Sequence, residues 1–248
     1  MKRVPAPQRA AGSPAGEEAE RDARWAFGLL PQLGGVALKG LLTAFGSAEK
    51  AWEAPAPALQ AVPGISAGMA QAMRRFPRAR ALREDKARVA RAGVRVIVWG
   101  DAEYPPRLQE IASAPPILYL RGTVEPGDAA AVAIVGARHA TAYGEGVAHE
   151  LAVELSRRGL TIVSGLARGI DAADPRGALE AGGRTLAVLG SGLDEIYPPE
   201  HRDLADEVAG HGAVLSEFPL GTAPLRLHFP PAKPDHQRPE PGSDRGGG

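Results

Sequence analysis

Residues 160–171 read Leu160-Thr161-Ile162-Val163-Ser164-Gly165-Leu166-Ala167-Arg168-Gly169-Ile170-Asp171. A short apolar run breaks into glycine and small polar residues, and apolar residues then resume at helical spacing. Such a run is too short for a helix and suits a strand buried on both faces. The unit recurs: residues 131–135, 185–189 and 213–215 are compact apolar runs, each beside a stretch long enough for a helix. The alternation predicts a βαβαβαβ series of the α/β class. It implies a parallel sheet covered by helices on both faces, with its ligand crevice at the carboxyl ends of the strands.

Parallel geometry would bring three strand-to-helix loops to one edge of that sheet. They are Gly136-Ala137-Arg138, Ser164-Gly165-Leu166-Ala167-Arg168-Gly169-Ile170-Asp171, and Gly190-Ser191-Gly192-Leu193-Asp194. Glycine lets backbone approach closely, helix N-termini offer unpaired amides, and arginine forks onto phosphate oxygens. Three such loops predict an anion-binding crevice. Neither G-x-G-x-x-G nor G-x-x-x-x-G-K-[ST] is present, which argues against a nicotinamide dinucleotide or a hydrolysed nucleoside triphosphate and for a phosphodiester chain or nucleotide fragment. No cofactor is expected.

Catalytic sets are thin. Ser164 and Ser191 lack a G-x-S-x-G elbow. His139, His201 and His228 have no metal-ligand spacing with a nearby acid and are expected to be structural or on the surface. Asp171 and Asp194 are expected to cap or orient their loops. The absence of cysteine rules out disulfides, thiolate zinc sites and cysteine nucleophiles. The sequence offers no convincing catalytic set.

Outward from the sheet, residues 25–91 place Leu29, Leu33, Leu38, Leu41, Phe45, Trp52, Leu59, Met69, Met73 and Phe76 at helical spacing, predicting a small all-α domain over 23–92. Within it, Val62-Pro63-Gly64-Ile65-Ser66 is similar to a helix-hairpin-helix turn, although a packing turn explains it better. Residues 94–99 read as a further strand, and the proline-punctuated stretch 104–122 as a connector. Residues 1–22, rich in Ala, Pro, Gly, Glu and Arg, are expected to be disordered.

The 248 residues have zero net charge, unevenly spread: residues 1–130 carry an excess of five positive charges and residues 131–230 an excess of five negative ones. Any nucleic-acid site in the second half is therefore local, built from a few arginines and amides. No run of about 18 apolar residues spans a bilayer, and the N-terminus lacks a secretory apolar stretch, so no membrane partner and a cytoplasmic location are expected.

In order and spacing, these loops resemble the signature of the DNA-processing protein A (DprA/Smf) family, together with Tyr197-Pro198, Leu215-Ser216-Glu217-Phe218-Pro219 and His228-Phe229-Pro230. The resemblance spans about residues 25–230. It implies a Rossmann-like domain over 93–231, preceded by the helical domain, that binds single-stranded DNA without catalysis. It further implies protection of incoming strands, loading of the RecA recombinase during natural transformation, and homodimerisation. Carried over, Arg138 makes the central phosphate contact, and Gly136, Ala137, Ser164, Gly165, Arg168, Gly169, Asp171, Gly190, Ser191 and Gly192 complete the pocket, reading backbone rather than base. The alternatives are a nucleotide-processing hydrolase of the phosphoribohydrolase type, whose P-G-G-x-G-T-x-x-E motif is missing, and DNA binding by residues 25–91 alone.

The chain departs from the family pattern twice. Asp174-Pro175 stands where the family has Ala-His, with proline expected in a helix's tolerant first turn. After Pro231 the family continues Arg-Asn-Arg-Ile-Ile, whereas this chain reads Ala232-Lys233-Pro234-Asp235. A one-nucleotide shift of a suitable back-translation restores the family sequence. The expectation is a frameshift near Pro230 and Pro231, a disordered tail over 232–248 and an incomplete sheet with an exposed edge, which adds an inactive fragment to the alternatives.

Overall fold

The computed structural model describes residues 14–31 and 33–224. Six helices open the chain: α1 (Pro14–Gly28), α2 (Gly35–Phe45), α3 (Ala48–Glu53), α4 (Ala56–Gln60), α5 (Ala67–Arg75) and α6 (Arg78–Ala92). There follow β1 (Arg95–Val98), α7 (Pro106–Glu110), β2 (Ile117–Gly122), β3 (Ala131–Ala133), α8 (Ala142–Arg157) and β4 (Thr161–Ser164). The last elements are α9 (Ile170–Glu180), β5 (Thr185–Leu189), α10 (Arg202–His211) and β6 (Ala213–Ser216). Side-chain caps start several helices: Ser47, Ser66 and Thr141 accept the amides of Lys50, Met69 and Gly144. Gly46 and Gly93 end α2 and α6 in the left-handed conformation.

The strands form one sheet in the order β1-β2-β6-β5-β4-β3. β3, β4, β5 and β6 are parallel, while β2 runs antiparallel to both β1 and β6. Because β3 to β6 are added in one direction, right-handed crossovers place α8, α9 and α10 on a single face. That face presents Val96, Val98, Ile117, Tyr119, Ala187, Leu189 and Val214 to Trp25, Leu82 and Val89 of α1 and α6 and to Leu204, Ala205 and Val208 of α10. Ala152 of α8 and Ala178 of α9 cover Ile162 of β4. The opposite face, with Ile97, Leu118, Leu120, Leu186 and Leu215, packs against Tyr104, Leu108 and Val124. It leaves a largely apolar groove of about 660 Å³, in which Val188 remains half exposed.

The α/β class matches the sequence reading, and five details differ. The sheet is mixed rather than parallel throughout, and helices α8 to α10 share one face instead of covering both. Ile117–Gly122, assigned to a connector, is an inner strand. Residues 14–22, expected to be disordered, belong to α1, where Arg21 donates to the Val96 carbonyl at 2.8 Å and pairs with Asp101, and Arg24 donates to the Trp99 carbonyl. Pro175 is the sixth residue of α9, beyond the first turn. Residues 1–13 and the expected tail at 232–248 lie outside the described residues. The turn at Gly64 buries Val62 and Ile65 in the helical core with Leu38, Leu41 and Leu59, so its apolar residues serve packing.

β3 is the edge of the described sheet. Beside it Val135 is largely exposed, and Tyr143, Val147 and Leu151 line up at i, i+4 and i+8 on the solvent side of α8.

Candidate anion-binding site

The parallel register puts the carboxyl ends of β3, β4, β5 and β6 along one edge. The first two loops close into a single cradle there. The Gly136 amide donates to Asp171 Oδ1 at 2.9 Å, and the Gly165 amide also hydrogen-bonds the same carboxylate. Asp171, in the first turn of α9, thus ties loop 136–138 to loop 164–171. Burial raises its pKa, and the two amides and nearby Arg138 oppose that rise. The Ile170 amide donates to the Ala137 carbonyl at 3.3 Å, and Gly169, at φ +72°, lies so close to Ala137 that a Cβ there would collide with its carbonyl oxygen. Gly136 packs on Ile170, whose Cγ1 would be 2.6 Å from an added Cβ. Glycine at these positions is what the close approach of two backbones requires.

Arg138 is exposed at the rim. Arg168 is half exposed and directed to Glu200, whose Oε1 accepts Nη2 at 2.7 Å and Nε at 2.8 Å; that pairing raises the guanidinium pKa, and the Glu200 backbone amide, then Arg168, lowers the carboxyl's.

Ser164 and Ser191 build the loops instead of lining them. Ser164 is buried; its Oγ donates to the Asp171 carbonyl at 2.7 Å and lies 3.0 Å from Asp174 Oδ1. Ser191 Oγ donates to the Glu195 carbonyl at 2.7 Å. Neither hydroxyl is aimed as a nucleophile. Gly190, Ser191 and Gly192 are buried against the segment after β6: Ser216 Oγ donates to the Ser191 carbonyl, and Gly192 N to the Thr222 carbonyl. Asp194 Oδ1 accepts the Gly221 amide at 2.8 Å. The structure therefore joins the first and second loops directly and closes the third against residues 216–222.

The role of Asp174 escapes the sequence reading, whereas His201, expected to be structural or on the surface, is structural. Asp174 is fully buried, its Oδ2 has no hydrogen-bond partner, and burial pushes its pKa up to about 8, with Asp171 adding to the rise and Ser164 opposing it. A carboxyl that is protonated at neutral pH can donate to Ser164 Oγ while Ser164 donates onward to the Asp171 carbonyl. His201 is buried as well, with Nδ1 2.9 Å from the Leu166 carbonyl. No local pattern announces either residue. His139 is exposed, and His228 lies outside the described residues. Among the described residues no group of three His, Asp or Glu side chains is arranged to hold a metal, and no helix is long and apolar enough to cross a membrane.

The sequence profile of the DNA recombination-mediator protein A family matches residues 95–232, more than half of the chain. A protein Smf from Synechocystis is 46% identical over 134 residues, which cover 52% of this chain and 34% of the relative. A DNA processing protein DprA from Bacillus subtilis is 40% identical over 139 residues, 56% of this chain and 47% of the relative. The chain thus matches between a third and a half of the length of these curated relatives. The X-ray structure of DNA processing protein A from Streptococcus pneumoniae is similar with a TM-score of 0.68 and 26% identity, covering 84% of this chain and 71% of that one.

Proposed function

The chain belongs to the DNA recombination-mediator protein A family, and from that membership we propose that its crevice binds single-stranded DNA by the phosphate backbone without catalysing a reaction. The observation that carries this reading is the cradle itself: one carboxylate, Asp171, holds the amides of Gly136 and Gly165, which fuses two glycine loops under Arg138. Such a surface sets guanidinium groups and the loop amides that Asp171 does not hold toward phosphate oxygens. Gly136, Ala137, Arg138, Gly165, Arg168 and Gly169 form its accessible part, and Asp171, Ser164, Gly190, Ser191 and Gly192 support it. On the same reading the bound strand is protected and passed to the RecA recombinase, and the chain homodimerises.

The test is binding of a labelled oligothymidylate by this chain at low and moderate salt, with Arg138→Ala beside it. Affinity that falls with salt, and falls further in the variant, supports the reading. Each phosphate contact on a single strand contributes a slope of about 0.7 in log K against log salt, and Arg138→Ala removes about that much. A folded chain that does not bind, or a variant that binds as tightly as its parent, rejects it.

A further inference from the structure

Among the described residues Leu166 alone combines a side chain on Cβ with a positive φ, at 57°, and it is fully buried. The left-handed region crowds a leucine Cβ against its own backbone, so neighbours have to hold the residue there. Its side chain is one anchor, packed in the main core with Leu189, Leu193 and Ile196. The other is His201, 6% exposed, whose Nδ1 lies 2.9 Å from the Leu166 carbonyl. A carbonyl only accepts, so Nδ1 carries the proton and donates. His201 belongs to the one-turn 3-10 helix Pro199–His201 between β5 and α10. Its neighbour Glu200 holds Arg168 at 2.7 Å. The turn therefore grips the second loop on both sides of Ala167.

We propose that His201 is a positioning residue for the anion-binding loop, fixing the Leu166 carbonyl so that residues 167–169 present their backbone to the ligand. The conformation set at Leu166 passes through Gly169, at φ +72°, to the Ile170 amide, which bonds the Ala137 carbonyl of the first loop. His201 reaches the cradle through the loop and does not contact the ligand. The identity of that ligand as single-stranded DNA rests on the function proposed above; the loop geometry does not.

The test compares wild type, His201→Leu and His201→Asn. The Asn amide nitrogen stands the same number of bonds from Cα as imidazole Nδ1 and can donate to the same carbonyl, whereas leucine fills the site without a donor. Thermal unfolding establishes that each variant folds. Oligothymidylate affinity should fall about tenfold in His201→Leu, the scale of one lost buried hydrogen bond, and recover to within about threefold of wild type in His201→Asn. Hydrogen exchange at the Ile170 amide should quicken in His201→Leu and return toward the wild-type rate in His201→Asn. If wild type shows no binding that depends on Arg138, the DNA reading falls, and the exchange measurement alone decides the positioning role. Unchanged exchange at Ile170 in His201→Leu, or equal loss in the leucine and asparagine variants, overturns it.

Discussion

Ser164 Oγ donates to the carbonyl of Asp171 at 2.7 Å, and that bond stands where a helical one is missing. In an uninterrupted helix the amide of residue 175 would bond the carbonyl of residue 171, but Pro175 has no N–H and its ring crowds that carbonyl. A buried carbonyl without a partner is costly, and the strand β4 supplies the partner from outside the helix. Ser164→Ala should therefore cost about 1–3 kcal/mol, the range for an orphaned buried acceptor. Pro175→Ala offers the helical amide again and should relieve part of that loss. A double-mutant cycle by thermal or denaturant unfolding should give a coupling of at least about 0.5 kcal/mol between the two sites. Strict additivity would falsify the compensation.

Glycine matters to the cradle at one position above the others. A Cβ at Gly169 meets the Ala137 carbonyl and the Arg138 backbone, and the residue sits at φ +72°. Gly169→Ala should separate the first two loops, lower stability by about 1–3 kcal/mol and reduce oligothymidylate binding together with it. Gly146, on the exposed side of α8, has open space around its missing Cβ. Gly146→Ala should leave binding unchanged and stabilise the chain by up to about 1 kcal/mol. Circular dichroism melts and a binding titration of both variants separate these outcomes.

The parallel core was legible because residues 160–163 and 185–189 are apolar runs bounded by glycine and small polar residues, a local signal. β2 was not, since Pro115-Pro116 before it reads as a connector and only pairing with β1 and β6 reveals the strand. The one-sided helical layer depends on strand order, which no window of sequence contains. Residues 14–22 show the limit of composition: Ala and Glu are good helix formers as well as common in disordered segments, and the contacts of Arg21 and Arg24 with β1 and its following loop decide the matter. At the site, Gly136, Gly165 and Gly169 were visible as glycines between strand and helix. Asp174 and His201 act through partners 10 and 35 residues away, so sequence spacing says nothing of their roles.

The helical layer and the sheet share a buried polar node. Asp85 Oδ2 of α6 accepts Trp25 Nε1 of α1 at 2.9 Å and the Tyr119 hydroxyl of β2 at 2.8 Å. Burial, then Asp85, raises the tyrosine pKa strongly. Asp85→Ala strands two buried donors and should cost about 2–5 kcal/mol, whereas Tyr119→Phe removes one bond and should cost about 1 kcal/mol. Because the node joins both layers, tryptophan fluorescence and far-ultraviolet circular dichroism should report one shared unfolding transition in the wild type. Two separated transitions would show that the layers unfold independently and that the node contributes little between them.

Asp174 gives stability a pH dependence whose sign follows from its burial. The unfolded carboxyl releases its proton near its ordinary value of 3.8, and the folded one near 8. Between those values the folded state holds the extra proton, so the contribution is complete below about pH 4 and is lost as pH rises toward 8. The slope reaches at most about 1.4 kcal/mol per pH unit. Asp171, raised in the same direction by burial, contributes with the same sign. Asp174→Asn cannot ionise and should flatten most of the dependence. Its amide nitrogen can stand where Oδ1 does and donate to Ser164 Oγ as the protonated carboxyl would, leaving its oxygen in place of the unpartnered Oδ2, so the variant should melt close to wild type at pH 5 and above it at pH 8.5. Melting curves that stay parallel across that range would mean that the Asp174 carboxyl finds water or a cation in the folded chain and ionises near its ordinary value.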